Sequence, residues 1–187
     1  MSATRTPVAA GIATMAIAGL TWTRLWRQKA IWVSGILSAV PVLIATAAAG
    51  ESNAVNVVLG ASVSLLAILP PLHIASSLSE EFEDRTSAYL WSRPIPRWTI
   101  VSGKMLALVP LVIALEIIGA VLAGQKLGAL GTTMQLDRVA FGMSLGVIAA
   151  SCCAAGISTI WPKHGMSISM IWLLFVDQPI GLIPASL

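Results

Sequence analysis

"MLALVPLVIALEIIGAVLA", residues 105–123, is nineteen residues long and holds one charged side chain, Glu116. A helix rises about 1.5 Å per residue and a bilayer core is about 30 Å thick, so roughly 20 apolar residues cross it. The rest of the chain reads the same way. Of 187 residues, 57% are hydrophobic and 10% charged, whereas a soluble domain carries about 25% charged residues. So little charge does not cover the surface of a water-soluble fold, and the composition predicts an all-α polytopic membrane protein.

Four further stretches join this one. The expected spans are 30–49, 54–76, 105–123, 139–160 and 166–187, in one transmembrane domain covering 1–187. Small residues crowd "SLGVIAASCCAAGIS" (144–158). They let helix backbones approach closely, which predicts a fourth span buried among its neighbours. Cys152 and Cys153 lie in that run and read as small buried side chains. Prolines at 41, 70, 71, 179 and 184 predict kinks in the first, second and last spans, tolerated where neighbours re-satisfy the backbone.

Before the first span, residues 8–29 read as an N-terminal interfacial helix. Trp22 and Trp26 would anchor it, while Arg24 and Arg27 meet lipid headgroups. Two alternatives stand beside this: a signal peptide, because "AIA" resembles a cleavage site, or a plain positive flank of the first span. Nine Lys or Arg fall in the N-terminal segment, the 77–104 loop and the 161–165 turn, and two, Lys126 and Arg138, in the opposite segments. The positive-inside rule then puts the N-terminus and the 77–104 loop in the cytoplasm.

That loop precedes the opening stretch. Residues 76–104, "SSLSEEFEDRTSAYLWSRPIPRWTIVSGK", hold eight of the nineteen charged residues. Ser77 and Glu80 have capping-box spacing, Glu81 and Arg85 are an i,i+4 pair, and Leu78, Phe82, Arg85 and Tyr89 follow helical spacing. They predict a short amphipathic helix over 78–91. It stops at Ser92, because Pro94 disfavours helix at Arg93. "RPIPR" (93–97) is then a stiff turn, and Lys104 marks re-entry into the membrane. A charge run is often only a solvated face. Here Phe82, Tyr89, Leu90, Trp91 and Trp98 stand among the charges, which suits a headgroup contact or a docking surface for another protein.

The residues Glu81, Glu83, Thr86, Arg93, Pro94, Arg97, Gly103 and Lys104 resemble the first cytoplasmic loop of type-2 ABC exporter permeases. The family pattern is E-x-E-x-G-T, then R-P-x-x-R, then G-K at the next span; Arg85 stands where that family has Gly. The resemblance implies a coupling helix between the second and third spans that seats on a cytoplasmic ABC ATPase. Glu80, Glu81, Phe82, Glu83, Asp84, Arg85, Thr86 and Tyr89 would make that contact. Arg93, Pro94, Arg97 and Lys104 would shape the turn behind it. It further implies an exporter in the plasma membrane (the inner membrane of the cell), working as a dimer with a second permease copy or homologue. ATP and Mg would be bound by the ATPase, with no cofactor in this chain. The family has six spans. Five are counted here, so either the chain is shorter or 166–187 is re-entrant.

Other chemistry finds little support. No G-x-x-x-x-G-K-[ST] occurs, and the single G-K, Gly103–Lys104, is followed by Met105. His73 and His164 are far apart and the cysteines adjacent, which predicts neither a metal site nor acid–base catalysis. The dispersed positive charge makes no nucleic-acid stripe. Glu116 is an intramembrane acid, a candidate for the translocation path or a hydrogen-bonding partner for neighbouring spans. The competing function is a non-transporting membrane scaffold or regulator that docks a soluble partner through 77–104.

Overall fold

The computed structural model describes residues 10–26, 29–51, 53–83, 97–128 and 135–177. All regular structure among them is helical. The elements are α1 (Ala10–Leu25), α2 (Lys29–Ser38), α3 (Val40–Ala47), α4 (Ala54–Leu66), a π-helical segment (Pro71–Ala75), α5 (Ser76–Glu83), α6 (Arg97–Lys126), α7 (Leu136–Ile160), α8 (Gly165–Trp172) and a second π segment (Leu173–Asp177). Among the described residues, three helices are long and apolar enough to cross a membrane: Ala54–Ser79, Trp98–Lys126 and Leu136–Ile160. Two shorter apolar helices, Ile31–Ala47 and Gly165–Phe175, accompany them. The expected spans at 54–76, 105–123 and 139–160 fall on the long helices, and 30–49 and the start of 166–187 on the short ones; residues 178–187 lie outside the described residues.

The irregularities have local causes. Pro41 has no N–H to continue the ladder, and the first apolar helix is interrupted at Ala39. Pro70 and Pro71 remove two successive donors. The chain tightens at Ala67 and Ile68, whose amides bond to Ser64 and Leu65 at 3.2 and 3.0 Å, and then widens into the π segment. By contrast, α6 runs through Pro110 without interruption.

Helix α6 is the centre of the bundle: α1, α2, α3, α4, α7 and the π segment all pack on it. Near the Lys126 end, Ala45, Ala48, Ala54, Val58, Ala123 and Leu127 form one cluster. In the middle, Leu65, Leu69, Val112 and Val147 form another, with Leu37 against it. At the Lys104 end, Leu25, Ile74, Leu78, Leu108 and Ala155 form a third. Hydrocarbon outside is as apolar as these side chains, so close van der Waals packing rather than escape from water holds the helices together. Large apolar side chains point outward: Trp32 is 74% exposed, Ile36 70% and Phe141 68%. In water such stripes would aggregate; against lipid they are ordinary.

Two sequence expectations are corrected, at Ser77 and at the cysteines. The capping-box spacing at Ser77 does not start a helix, because α5 continues directly from the π segment above it. The expected helix over 78–91 is seen as far as Glu83, as an extension of the second span; residues 84–96 lie outside the described residues. Lys104 lies inside the third helix, which begins at Arg97. Cys152 and Cys153 are exposed, not buried. The buried stripe of α7 is Met143, Val147, Ala150, Ser151, Ala154, Ala155 and Ser158. That 3.6-residue phase turns 152 and 153 outward, so only one face of the fourth span is covered.

Candidate functional site

The sequence-predicted site splits between described and undescribed residues. Arg27, Asp84, Arg85, Thr86, Tyr89, Arg93 and Pro94 lie outside the described residues. Glu80, Glu81, Phe82 and Glu83 lie in the last turns of α5, and Arg97 opens α6. These two helix ends flank the charged loop.

The flanks are joined by Lys104. Its side chain is 4% exposed, and its Nζ donates a hydrogen bond to the backbone carbonyl of Ser77. A buried ammonium is costly unless it is paired and hydrogen-bonded. Here it is held between two helices, about two turns inside each mouth of the loop. Thr99, one turn and a half earlier on α6, is fully buried. Leu78, next to Ser77, is buried against Leu25, Ile74 and Leu108.

Helix α1 seals the other side of this junction. A Cβ at Gly103 would lie 2.9 Å from the Thr14 carbonyl oxygen and 3.0 Å from Ile17 Cβ. Only glycine permits so close an approach. Leu25 is buried, while Leu20, Trp22 and Trp26 are exposed and Arg24 is on the open side. One face of α1 therefore seats on the bundle and the other presents two tryptophans outward. Substituting Gly103 by leucine should lift α1 from the bundle and expose the Arg24 peptide bond to trypsin. A Cβ at Gly19 would meet nothing within 4 Å, so Gly19→Ala should leave the digestion pattern unchanged.

Glu116 sits deeper on α6, twelve residues beyond Lys104, or about 18 Å along the helix. It is 2% exposed, and its Oε1 has no hydrogen-bond partner among the described residues. One turn on, a Cβ at Gly119 would lie 2.6 Å from the Ser38 carbonyl oxygen. Glu116 thus stands beside the tightest backbone contact between the first and third spans.

Sequence reasoning missed a second buried polar contact. Ser34 Oγ and His73 Nε2 are 2.6 Å apart, and the two residues are 0% and 2% exposed. The bond ties α2 to the π segment of the second span. Its signal was present: a histidine in an apolar run directly after Pro70-Pro71-Leu72 is as exceptional there as Glu116 in its own span. The small Ser34 gave no such signal.

A family model described as ABC-2 family transporter protein matches residues 62–176, more than half of the chain. The match takes in His73, the charged loop, Lys104 and Glu116. No curated protein and no solved structure matches the chain.

Proposed function

The chain belongs to the ABC-2 family of transporter proteins, and from that premise we propose that it is the permease subunit of an ATP-driven exporter, coupled to a separate cytoplasmic ATPase through the 77–104 loop. As a member of that family it is a multi-pass membrane subunit of a transporter and not itself the catalytic one. The ATPase would bind ATP and Mg. Two permease copies would enclose the substrate path, with the N-terminus and the loop facing the cytoplasm.

The observation that carries this reading is the Lys104–Ser77 junction. A loop that transmits force must have stems that move as a unit. Helix α5 is the extension of the second span, and α6 is the third span itself. With their mouths bonded together, displacement of Glu80–Glu83 reaches both spans at once. ATP binding then shifts the bundle between states to the extent that its contacts with the loop differ between them.

The pair Glu81 and Arg85 is the point to test. Glu81→Ala with Arg85→Ala should leave membrane insertion and yield unchanged and lower export about tenfold or more, the effect of losing one interface hot spot. Export is followed on a compound found by comparing secreted metabolites of cells with and without the chain. The co-purified ATPase should keep hydrolysing ATP. Undiminished export by the double variant, or an intact chain that brings down no ATPase, would overturn the reading.

A further inference from the structure

The second span is irregular where it is tied to the first. Pro70 and Pro71 supply no N–H, so the carbonyls of Leu66 and Ala67 lose their helical donors. The π segment that follows is a local widening of the kind that often marks functional positions in helices. Below it, the Ser76 hydroxyl is within 3.3 Å of the His73 carbonyl and also donates to that of Leu72. Above it lies the fully buried Leu69; within it, Ile74 is fully buried. The segment is thus pinned at both ends by packing, with irregular backbone between.

The one polar side chain of this segment is His73, and it reaches out of the second span to Ser34 on α2. We propose that the Ser34–His73 hydrogen bond is a latch that carries movement of α5 into the first span, with both residues positioning the transport machinery rather than touching substrate. The inference rests on the permease reading for what moves α5, but not for the latch itself.

The direction of transmission follows from the surroundings. Turning α5 about the π segment must either drag α2 along or break the bond. His73 is 2% exposed, and a buried imidazole nitrogen that loses its partner costs about 1–3 kcal/mol. Dragging is then favoured over breaking. Because α2 is separated from α3 by the interruption at Ala39, it can pivot about its Ser38 end, which stays seated on Gly119, while α3 stays packed on Ala123 and Leu127. The Lys104–Ser77 bond engages the third span and the Ser34–His73 bond the first. One loop thereby addresses both.

The test is hydrogen–deuterium exchange of the full chain in lipid nanodiscs, alone and with its co-purified ATPase. In the chain alone, Ser34→Ala and His73→Ala should each raise exchange of amides 72–78 several-fold. The double variant should exceed neither single one, since each already abolishes the bond. In the complex, ATP with Mg should change exchange across α2 in the wild type and in Ser34→Thr, which keeps the hydroxyl, but not in Ser34→Ala. Wild-type protection of 72–78 in Ser34→Ala, or an undiminished ATP response of α2 without the hydroxyl, would overturn the latch. If no ATPase associates with the wild-type chain, the permease reading fails, while the chain-alone comparison still decides whether the bond holds the segment.

Discussion

Gly119→Val should detach the first span from the third and lower the thermal stability of the purified chain more than any other glycine change considered. A Cβ at 119 would lie 2.6 Å from the Ser38 carbonyl oxygen, 3.6 Å from its carbonyl carbon and 3.8 Å from Ser38 Cβ. The obstacle is backbone, which does not rotate aside as a side chain does. Valine adds two methyl groups beyond that Cβ. Overpacking a well-filled site costs about 1–3 kcal/mol, and this contact has no soft partner to absorb the strain, so the upper end applies. Intrinsic tryptophan fluorescence during heating measures the loss, with Trp32 on α2 as a reporter. The control is Gly60→Ala, where a Cβ would meet nothing within 4 Å. An unchanged melting temperature in Gly119→Val would show that the α2–α6 contact does not hold the bundle.

Lys104→Glu should be the most damaging single change at the loop. The native ammonium is buried and bonded to the Ser77 carbonyl. Methionine would keep the aliphatic stem and leave that carbonyl without this donor, a loss of about 1–3 kcal/mol. Glutamate would set an anion against an acceptor in a buried site, on the scale of about 3–5 kcal/mol for an uncompensated buried charge. Arginine keeps the donors and the charge, in a bulkier and planar form. The expected order of membrane yield and melting temperature is wild type, Lys104→Arg, Lys104→Met, Lys104→Glu. Export should fall faster along the series than yield, because the junction joins the moving stems. Equal yields for lysine and glutamate would mean that the junction carries no load.

Apolar length was the most legible feature. Residues 54–76, 105–123 and 139–160 were expected as spans, and the long helices cover them, because crossing a membrane demands a run that no loop needs. The start of the third helix was not legible. A lysine in sequence looks like an edge, and only its bond across to Ser77 shows why it lies inside a helix. The phase of α7 was equally hidden. Composition favours burying cysteine, yet the stripe through Val147, Ala154 and Ser158 points residues 152 and 153 away. Of the site, Glu116 was visible from its position alone. His73 was set aside as a solitary histidine, since its partner is a serine 39 residues away. The charged residues of 84–96 remain known through their sequence pattern.

The helices differ greatly in length. Ile31–Ala47 spans about 26 Å and Trp98–Lys126 about 44 Å, at 1.5 Å per residue. Lipid beside the shorter helix must therefore thin to meet it, whereas the long central helix fits by tilting or by projecting beyond the hydrocarbon. Such an uneven annulus carries a modest elastic penalty for every ångström of disagreement. The chain is accordingly suited to bilayers of thin or easily deformed lipid, and a stiff, thick membrane would push it toward its neighbours or out of the domain altogether.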